Sequence, residues 1–295
     1  MSAVTPLTEH VLRGMTPPAP DDGGSKDGRG RVLVVAGCTE LPGAVLLAAN
    51  AAMRVGAGKL QIAVCRDLAI PIGIAVPEAL VVALPQTEAG GIARACADDL
   101  ATRAEACDAL LAGPGMNADD DTEALVSALV RGACGAAVVL DAGALGALGA
   151  DPDLTRGLSK PAVITPHAGE MAKLLGLDRE AIEADPLAAA RRAADRFGTV
   201  TVMKGGRTQI VSPDGRAWCY EAGHVGLATS GSGDALAGLI VGLLARGAEP
   251  EAAALWSVYA HGEAGRRLAR RYGGIGYLAR EIPLEVPEIL AEVLA

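Results

Sequence analysis

Short, almost wholly apolar runs recur along the chain, and each breaks into glycine, aspartate, proline or histidine. RVLVVAG (residues 31–37) is the first, and its unbroken apolar character predicts a strand buried on both faces. AVLLAANAAMRVGAG (44–58) is rich in Ala and Leu and ends in glycine, which predicts a helix; KLQIAV (59–64) predicts the next strand. GIARACADDLATRAE (91–105) predicts a helix with one charged face. CDALLAGPG, AAVVLDAGAL and PAVITPHAGE repeat the apolar-to-polar transition. A predicted helix near 191–197 precedes TVTVMKGGRTQIVSPDGRAWCYEA, whose PDG turn predicts a β-hairpin. Helices over 234–246 and about 250–271 complete the pattern. Such alternation predicts an α/β fold with a mostly parallel sheet and helices on both faces. It spans residues 31–295 as one domain, with the Pro-, Gly- and Asp-rich residues 1–30 as a lead-in.

In a parallel sheet, ligands sit beyond the carboxyl ends of the strands. Gly37, Cys38 and Thr39, then residues 113–115, Asp141, residues 165–167, and Lys204 with Gly205 all follow apolar runs directly. Five strand ends are therefore predicted to converge on one rim, as an enzyme or ligand binder requires.

Composition narrows the classes. The 295 residues are 51% hydrophobic and 21% charged, enough for a large core and incompatible with disorder throughout. With four Tyr, two Trp and one Phe, the core must come from Ala, Leu, Val and Ile. Scarce aromatics and a net charge of −9 argue against a nucleic-acid partner. An anionic small ligand stays open, because a local site overrides net charge. Cys38, Cys65, Cys96, Cys107, Cys134 and Cys219 form no CxxC pair, which predicts free, mostly buried thiols in a reducing compartment and no zinc site. No signal-peptide h-region and no apolar run of roughly 18 residues occurs, so a cytoplasmic protein without a membrane span is expected.

The chemistry concentrates in LATSGSGDALAG (227–238). Small residues ahead of an apolar helix leave its first N–H groups open to an anion, which the helix dipole favours. An ordinary N-cap by Ser232 or Asp234 fits the same letters. No GK[ST] follows, so this is not a Walker A loop. In TPHAGEMAKLLG, His167 stands at the rim, as a ligand contact or a structural hydrogen-bonding group. In VMKGGRT, two glycines after Lys204 permit close backbone approach to a ligand, although a lysine beside a turn is often merely solvated.

Taken in order, GRVLVVAGCTELPGAVLLAANAAMRVGAG, LLAGPGMN, VVLDAGAL, VITPHAGEMAKLLG, VMKGGRTQIVSPDG and ATSGSGDALAGLIVGLLARG form a specific combination. Over about residues 28–245 the chain resembles the ADP-dependent NAD(P)H-hydrate dehydratase family, a branch of the ribokinase-like superfamily. The resemblance implies a three-layer α/β/α fold. It also implies dehydration of the S-epimer of NADH-hydrate or NADPH-hydrate, with ADP consumed to AMP and phosphate and Mg²⁺ assisting. By motif, Lys204, Gly205, Gly206, Arg207, Thr208, Gly231, Ser232 and Gly233 would hold the adenine nucleotide. Ala44, Gly113, Gly115 and His167 would contact the hydrated nicotinamide nucleotide, and Asp234 would be the catalytic acid or base at its reacting hydroxyl. No residue is assigned as a metal ligand.

The chemistry is coherent with the residues. Phosphorylation turns hydroxide into a good leaving group. Asp234 would take the hydroxyl proton while the amides of residues 230–233 cradle the moving phosphoryl group. The resemblance further implies a homo-oligomer, a tetramer, and a separate epimerase, because about 30 lead-in residues leave no room for the epimerase domain of many relatives. Ser230, Ala235, Cys38 and Leu41 depart from the family's usual glycine, valine, serine and tyrosine; Gly143 replaces an aspartate, removing a polar rim group. Two other readings share the anion turn: a ribokinase-like kinase of the hydroxyethylthiazole or hydroxymethylpyrimidine type, and a non-catalytic nucleotide sensor.

Overall fold

In the computed structural model, residues 3–19, 25–133 and 135–295 are described; Cys134 lies outside them. These residues form ten strands: β1 (Val4–Pro6), β2 (Arg31–Val35), β3 (Lys59–Cys65), β4 (Ala79–Leu84), β5 (Ala109–Ala112), β6 (Ala137–Leu140), β7 (Val163–Ile164), β8 (Val200–Met203), β9 (Thr208–Val211) and β10 (Ala217–Tyr220). They make one sheet in the order β1-β10-β9-β8-β7-β6-β5-β2-β3-β4. From β8 through β4 all neighbours are parallel; β9 alone runs against its neighbours, as the predicted hairpin requires. Every residue of β5, β8 and β10 is buried, which accounts for their continuous apolar runs.

The α-helices are α1 (Glu9–Arg13), α2 (Pro42–Arg54), α3 (Arg66–Ala75), α4 (Ala97–Glu105), α5 (Asp120–Gly132), α6 (Gly146–Ala150), α7 (Ala168–Leu175), α8 (Arg179–Ala184), α9 (Pro186–Phe197), α10 (Ser232–Ala245), α11 (Pro250–Tyr272) and α12 (Ile282–Leu294). They pack in two separate groups: α1, α2, α3, α10, α11 and α12 form one, and α4 through α9 form the other. With the sheet between them these make the predicted three layers.

The predicted helix over 91–105 is shorter. Gly90, at φ +75°, and Gly91 form a turn in which the Thr87 amide bonds to the Gly91 carbonyl, so α4 begins only at Ala97, after a 3₁₀ turn at Arg94–Cys96. The lead-in joins the fold in its described part. β1 extends the sheet beside β10, Leu12 is fully buried, and the Met15 carbonyl accepts the Trp256 indole N–H at 2.9 Å. Trp256 is fully buried within this chain, so α11 packs in the core. Cys38, Cys65, Cys96, Cys107 and Cys219 are free, buried thiols, as expected.

The most consequential packing is α10 on α2. Ala48, Ala49, Ala51 and Ala52 of α2 are fully buried. A Cβ on Gly238 would stand 2.2 Å from the Ala48 carbonyl oxygen, and one on Gly242 would stand 2.7 Å from that of Ala52. Two glycines one turn apart thus let the helix backbones meet directly. This seam fixes the start of α10 against the carboxyl ends of the strands.

Candidate active site

β2, β5, β6, β7 and β8 end on the same rim, and backbone bonds tie their turns together. The Gly37 amide donates to the Pro114 carbonyl, that of Thr165 to Leu140, and that of Lys204 to Pro166. Gly113, at φ +123°, passes so close to Asp141 that a Cβ would lie 1.7 Å from its carbonyl oxygen. Gly115 sits against α2, where a Cβ would meet that of Ala44 at 2.8 Å. Ala44, Gly113 and Gly115 therefore form one close-packed side of the rim.

The other side carries charge. Asp141, 1% exposed, accepts from Lys204 Nζ at 2.8 Å and from Thr165 Oγ1 at 2.6 Å. Glu170 lies 3.8 Å from the same Nζ, and Asp234 acts on it electrostatically. Burial alone would lower the Lys204 pKa, but Asp141, Glu170 and Asp234 together outweigh it and raise the value, so the ammonium stays charged. Asp234 is pushed up to about 6, first by burial and then by Asp141 and Glu170, against the opposing pull of Lys204. A carboxylate with that value suits proton transfer near neutrality.

Asp234 belongs to the first turn of α10, whose start has no side-chain cap. Its N-cap residue, Gly231, lies at φ +86° and faces Leu47. The amides of Ser232 and Ala235 bond to Thr229 and Gly231, whereas those of Gly233 and Asp234 have no protein acceptor among the described residues. The N-cap alternative for Ser232 and Asp234 therefore does not apply, and two amides face outward where an anion would bind. Within the expected cradle of residues 230–233 the Ser232 amide is bonded to the protein, whereas those of Ser230 and Gly231, like that of Gly233, have no protein acceptor among the described residues.

In front of this turn lies a cavity of about 680 Å³, a size suited to a nucleotide-like ligand. Lys204, Gly205, Gly206, Thr208, Ser232, Gly233 and His167 line it, and Tyr220, Leu227, Leu236 and Val258 give it an apolar wall. Arg207 is not among its lining residues. It is exposed, pairs with Glu221, and borders a neighbouring cavity of about 620 Å³. His167 stands at the edge shared by both cavities, and its Nδ1 accepts the Gly169 and Glu170 amides at 3.0 and 3.2 Å. Glu170 returns a bond from the His167 amide at 2.8 Å, so His167 is the cap of α7.

Gly143, where an aspartate was expected by resemblance, is tightly enclosed: a Cβ would lie 2.6 Å from the Met116 carbonyl oxygen. A larger residue there would need the 116–117 turn to move. Two polar residues escaped assignment from sequence. Asp141 was visible as a strand end, but its pairing with Lys204 is a tertiary fact. His261, inside α11, had only an indirect signal in HGEAG, where Gly262 and Gly265 sit in a helix interior. Those glycines make room for the Tyr220 ring and for Leu227.

A family model described as NAD(P)H-hydrate dehydratase matches residues 32–288. The chain belongs to this family. It is 48% identical over 288 residues to the ADP-dependent (S)-NAD(P)H-hydrate dehydratase of Xanthomonas campestris, covering 97% of this chain and 96% of that one. A solved structure of the ADP/ATP-dependent NAD(P)H-hydrate dehydratase of Bacillus subtilis, co-crystallised with ATP and Mg²⁺, superimposes with a TM-score of 0.85 at 29% identity, covering 99% and 100% of the two chains. The bifunctional NAD(P)H-hydrate repair enzyme of Moorella thermoacetica is 40% identical over 92% of this chain, which spans 51% of that protein's length. The architecture is ribokinase-like, as the resemblance implied. No helix among the described residues is long and apolar enough to cross a membrane.

Proposed function

We propose that this chain dehydrates the S-epimer of NADH-hydrate and NADPH-hydrate to NADH and NADPH, converting ADP to AMP and phosphate. The observation that carries the reading is the turn at the start of α10. A carboxyl poised at about 6 stands beside two unbonded amides and a partly buried, charged lysine.

In this reading Lys204, Gly205, Gly206, Thr208, Gly231, Ser232 and Gly233 bind ADP, with Arg207 reaching it only from the neighbouring cavity. Ala44, Gly113, Gly115 and His167 contact the hydrated nicotinamide nucleotide. Asp234 takes the proton of the ring hydroxyl as that oxygen attacks the β-phosphorus of ADP. AMP departs, and the Gly233 and Asp234 amides hold the charge of the moving phosphoryl group. The C–O bond then breaks, driven by the ring nitrogen's lone pair. Loss of a proton from the adjacent carbon restores the double bond, and phosphate leaves.

Mg²⁺ fits as a companion of the nucleotide rather than as a resident ion. No three His, Cys, Asp or Glu among the described residues are grouped to hold a metal, so Asp234 or Glu170 would add one ligand to phosphate oxygens and water. Bound there, the ion would neutralise phosphate charge. Epimerisation of the R-form would fall to another protein.

The test is direct. Incubation with NADH-hydrate and ADP should restore the absorbance band of reduced nicotinamide, with AMP and phosphate released in equal amounts. Absence of recovery with either ADP or ATP would overturn the reading.

A further inference from the structure

Ser232 and His261 form a pair in the cavity wall; the mechanism above gives no role to His261 and none to the proton of the Ser232 hydroxyl. Ser232 opens α10 and is 6% exposed; His261 lies midway along α11. His261 Nε2 is 3.0 Å from Ser232 Oγ and 3.0 Å from the Ser232 carbonyl oxygen. A carbonyl oxygen can only accept, so the hydrogen belongs on Nε2. That hydrogen is shared with Oγ, which therefore also accepts. The Ser232 hydroxyl keeps its own proton, and among the described residues that proton has no other protein acceptor. Burial lowers the His261 pKa to about 4, so the ring is neutral in the working range.

A serine left free at a helix start turns its oxygen toward neighbouring backbone amides. Here that would cover the Gly233 and Asp234 amides on which the anion depends. The grip of His261 on Oγ prevents it, and the proton is left for the cavity.

We infer that His261 is a positioning residue that makes the Ser232 hydroxyl an obligate donor to a phosphoryl oxygen, a side-chain donor beside the open backbone amides of the turn. A phosphoryl oxygen only accepts, so the arrangement selects for this ligand class. That the phosphoryl group belongs to ADP rests on the function proposed above.

A double-mutant cycle in the full chain tests this, using Ser232→Ala, His261→Leu, the double variant and His261→Gln. ADP affinity is measured by calorimetry, without turnover, and kcat and KM for ADP in the dehydration. Each single change should lower kcat/KM for ADP by roughly 10- to 100-fold, the range for a hydrogen bond to a charged group. The double variant should be no worse than the poorer single by more than about threefold, since one donor is lost once. His261→Gln, whose side-chain amide can donate to the same two oxygens, should recover most of the loss. Independent, multiplying effects would overturn the inference. So would a His261→Leu chain that only melts earlier while its ADP parameters stay unchanged. If His261→Leu does not fold, Ser232→Ala and His261→Gln decide: a harmless Ser232→Ala refutes the donor. Should the wild-type chain bind ADP yet restore no reduced nicotinamide, the dehydration reading fails, and the cycle on ADP affinity still decides this one.

Discussion

Two helices, one from each layer, begin on the rim, and they begin differently. At α7, His167 and Glu170 close the first turn in a reciprocal pair of bonds. At α10, Gly231 offers no side chain, and the amides of Gly233 and Asp234 stay open. Lys204 stands between them, its backbone bonded to Pro166 and its ammonium near Glu170. The closed start is a structural joint; the open one has the electrostatics of an anion site because its own cap is missing. The same pattern of small and polar letters before a helix thus encodes opposite things, and the N-cap residue decides which.

The comparison breaks most sharply at Asp234. Asp234→Asn should reduce dehydration at least about 10³-fold while leaving ADP affinity within a few fold, as expected for loss of a positioned base. Turnover within tenfold of wild type would remove Asp234 from the chemistry. In the intact protein, kcat/KM should rise with pH through a limb near 6, where the carboxyl ionises. The same shift bears on stability. The folded-state value lies above the ordinary 3.8, so the folded chain favours the protonated acid. That contribution is complete below the unfolded value and is lost as pH rises through about 6. At pH 7 the ionised group opposes folding, and Asp234→Asn should melt higher, by an amount on the order of 1–2 kcal/mol.

Lys204→Met comes next. It leaves the buried Asp141 without its cation and should cost about 3 kcal/mol in urea unfolding. It should also move the acid limb to higher pH, because Lys204 holds the Asp234 value down. Gly231→Ala tests the open start itself. At φ +86°, with a Cβ 2.2 Å from Leu47 Cδ1, it should cost roughly 1–2 kcal/mol and weaken ADP binding. The smallest effect is expected at the closed start: His167→Ala should lower stability by about 1 kcal/mol. His167→Asn should restore the cap but not the KM for the hydrated nicotinamide nucleotide, whose contact with the imidazole belongs to the proposed function; full recovery of both would leave His167 a cap alone.

Most of the sheet was legible because strands buried on both faces need unbroken apolar runs, and RVLVV, ALLA and VTVM supply them. The rim was legible for the same reason: such runs must stop where backbone meets ligand. The stretch over 66–84 was not, since α3 contains Pro71 and β4 is a half-exposed edge without a clear period. The charged centre was legible only one residue at a time. Lys204 and Asp141 are 63 positions apart, and nothing local indicates that one neutralises the other. Motif resemblance supplied Asp234; its raised pKa and the unbonded amides came from packing.

The strand at the amino terminus carries a temporal consequence. Val4 pairs with Ala217, and the Met15 carbonyl waits for the indole of Trp256. During synthesis this segment leaves the ribosome well before its partners, more than 200 positions later in the chain, have been made. Contacts so distant in sequence are slow to close. The rim, whose strands lie between them, can be assembled while that edge is still open.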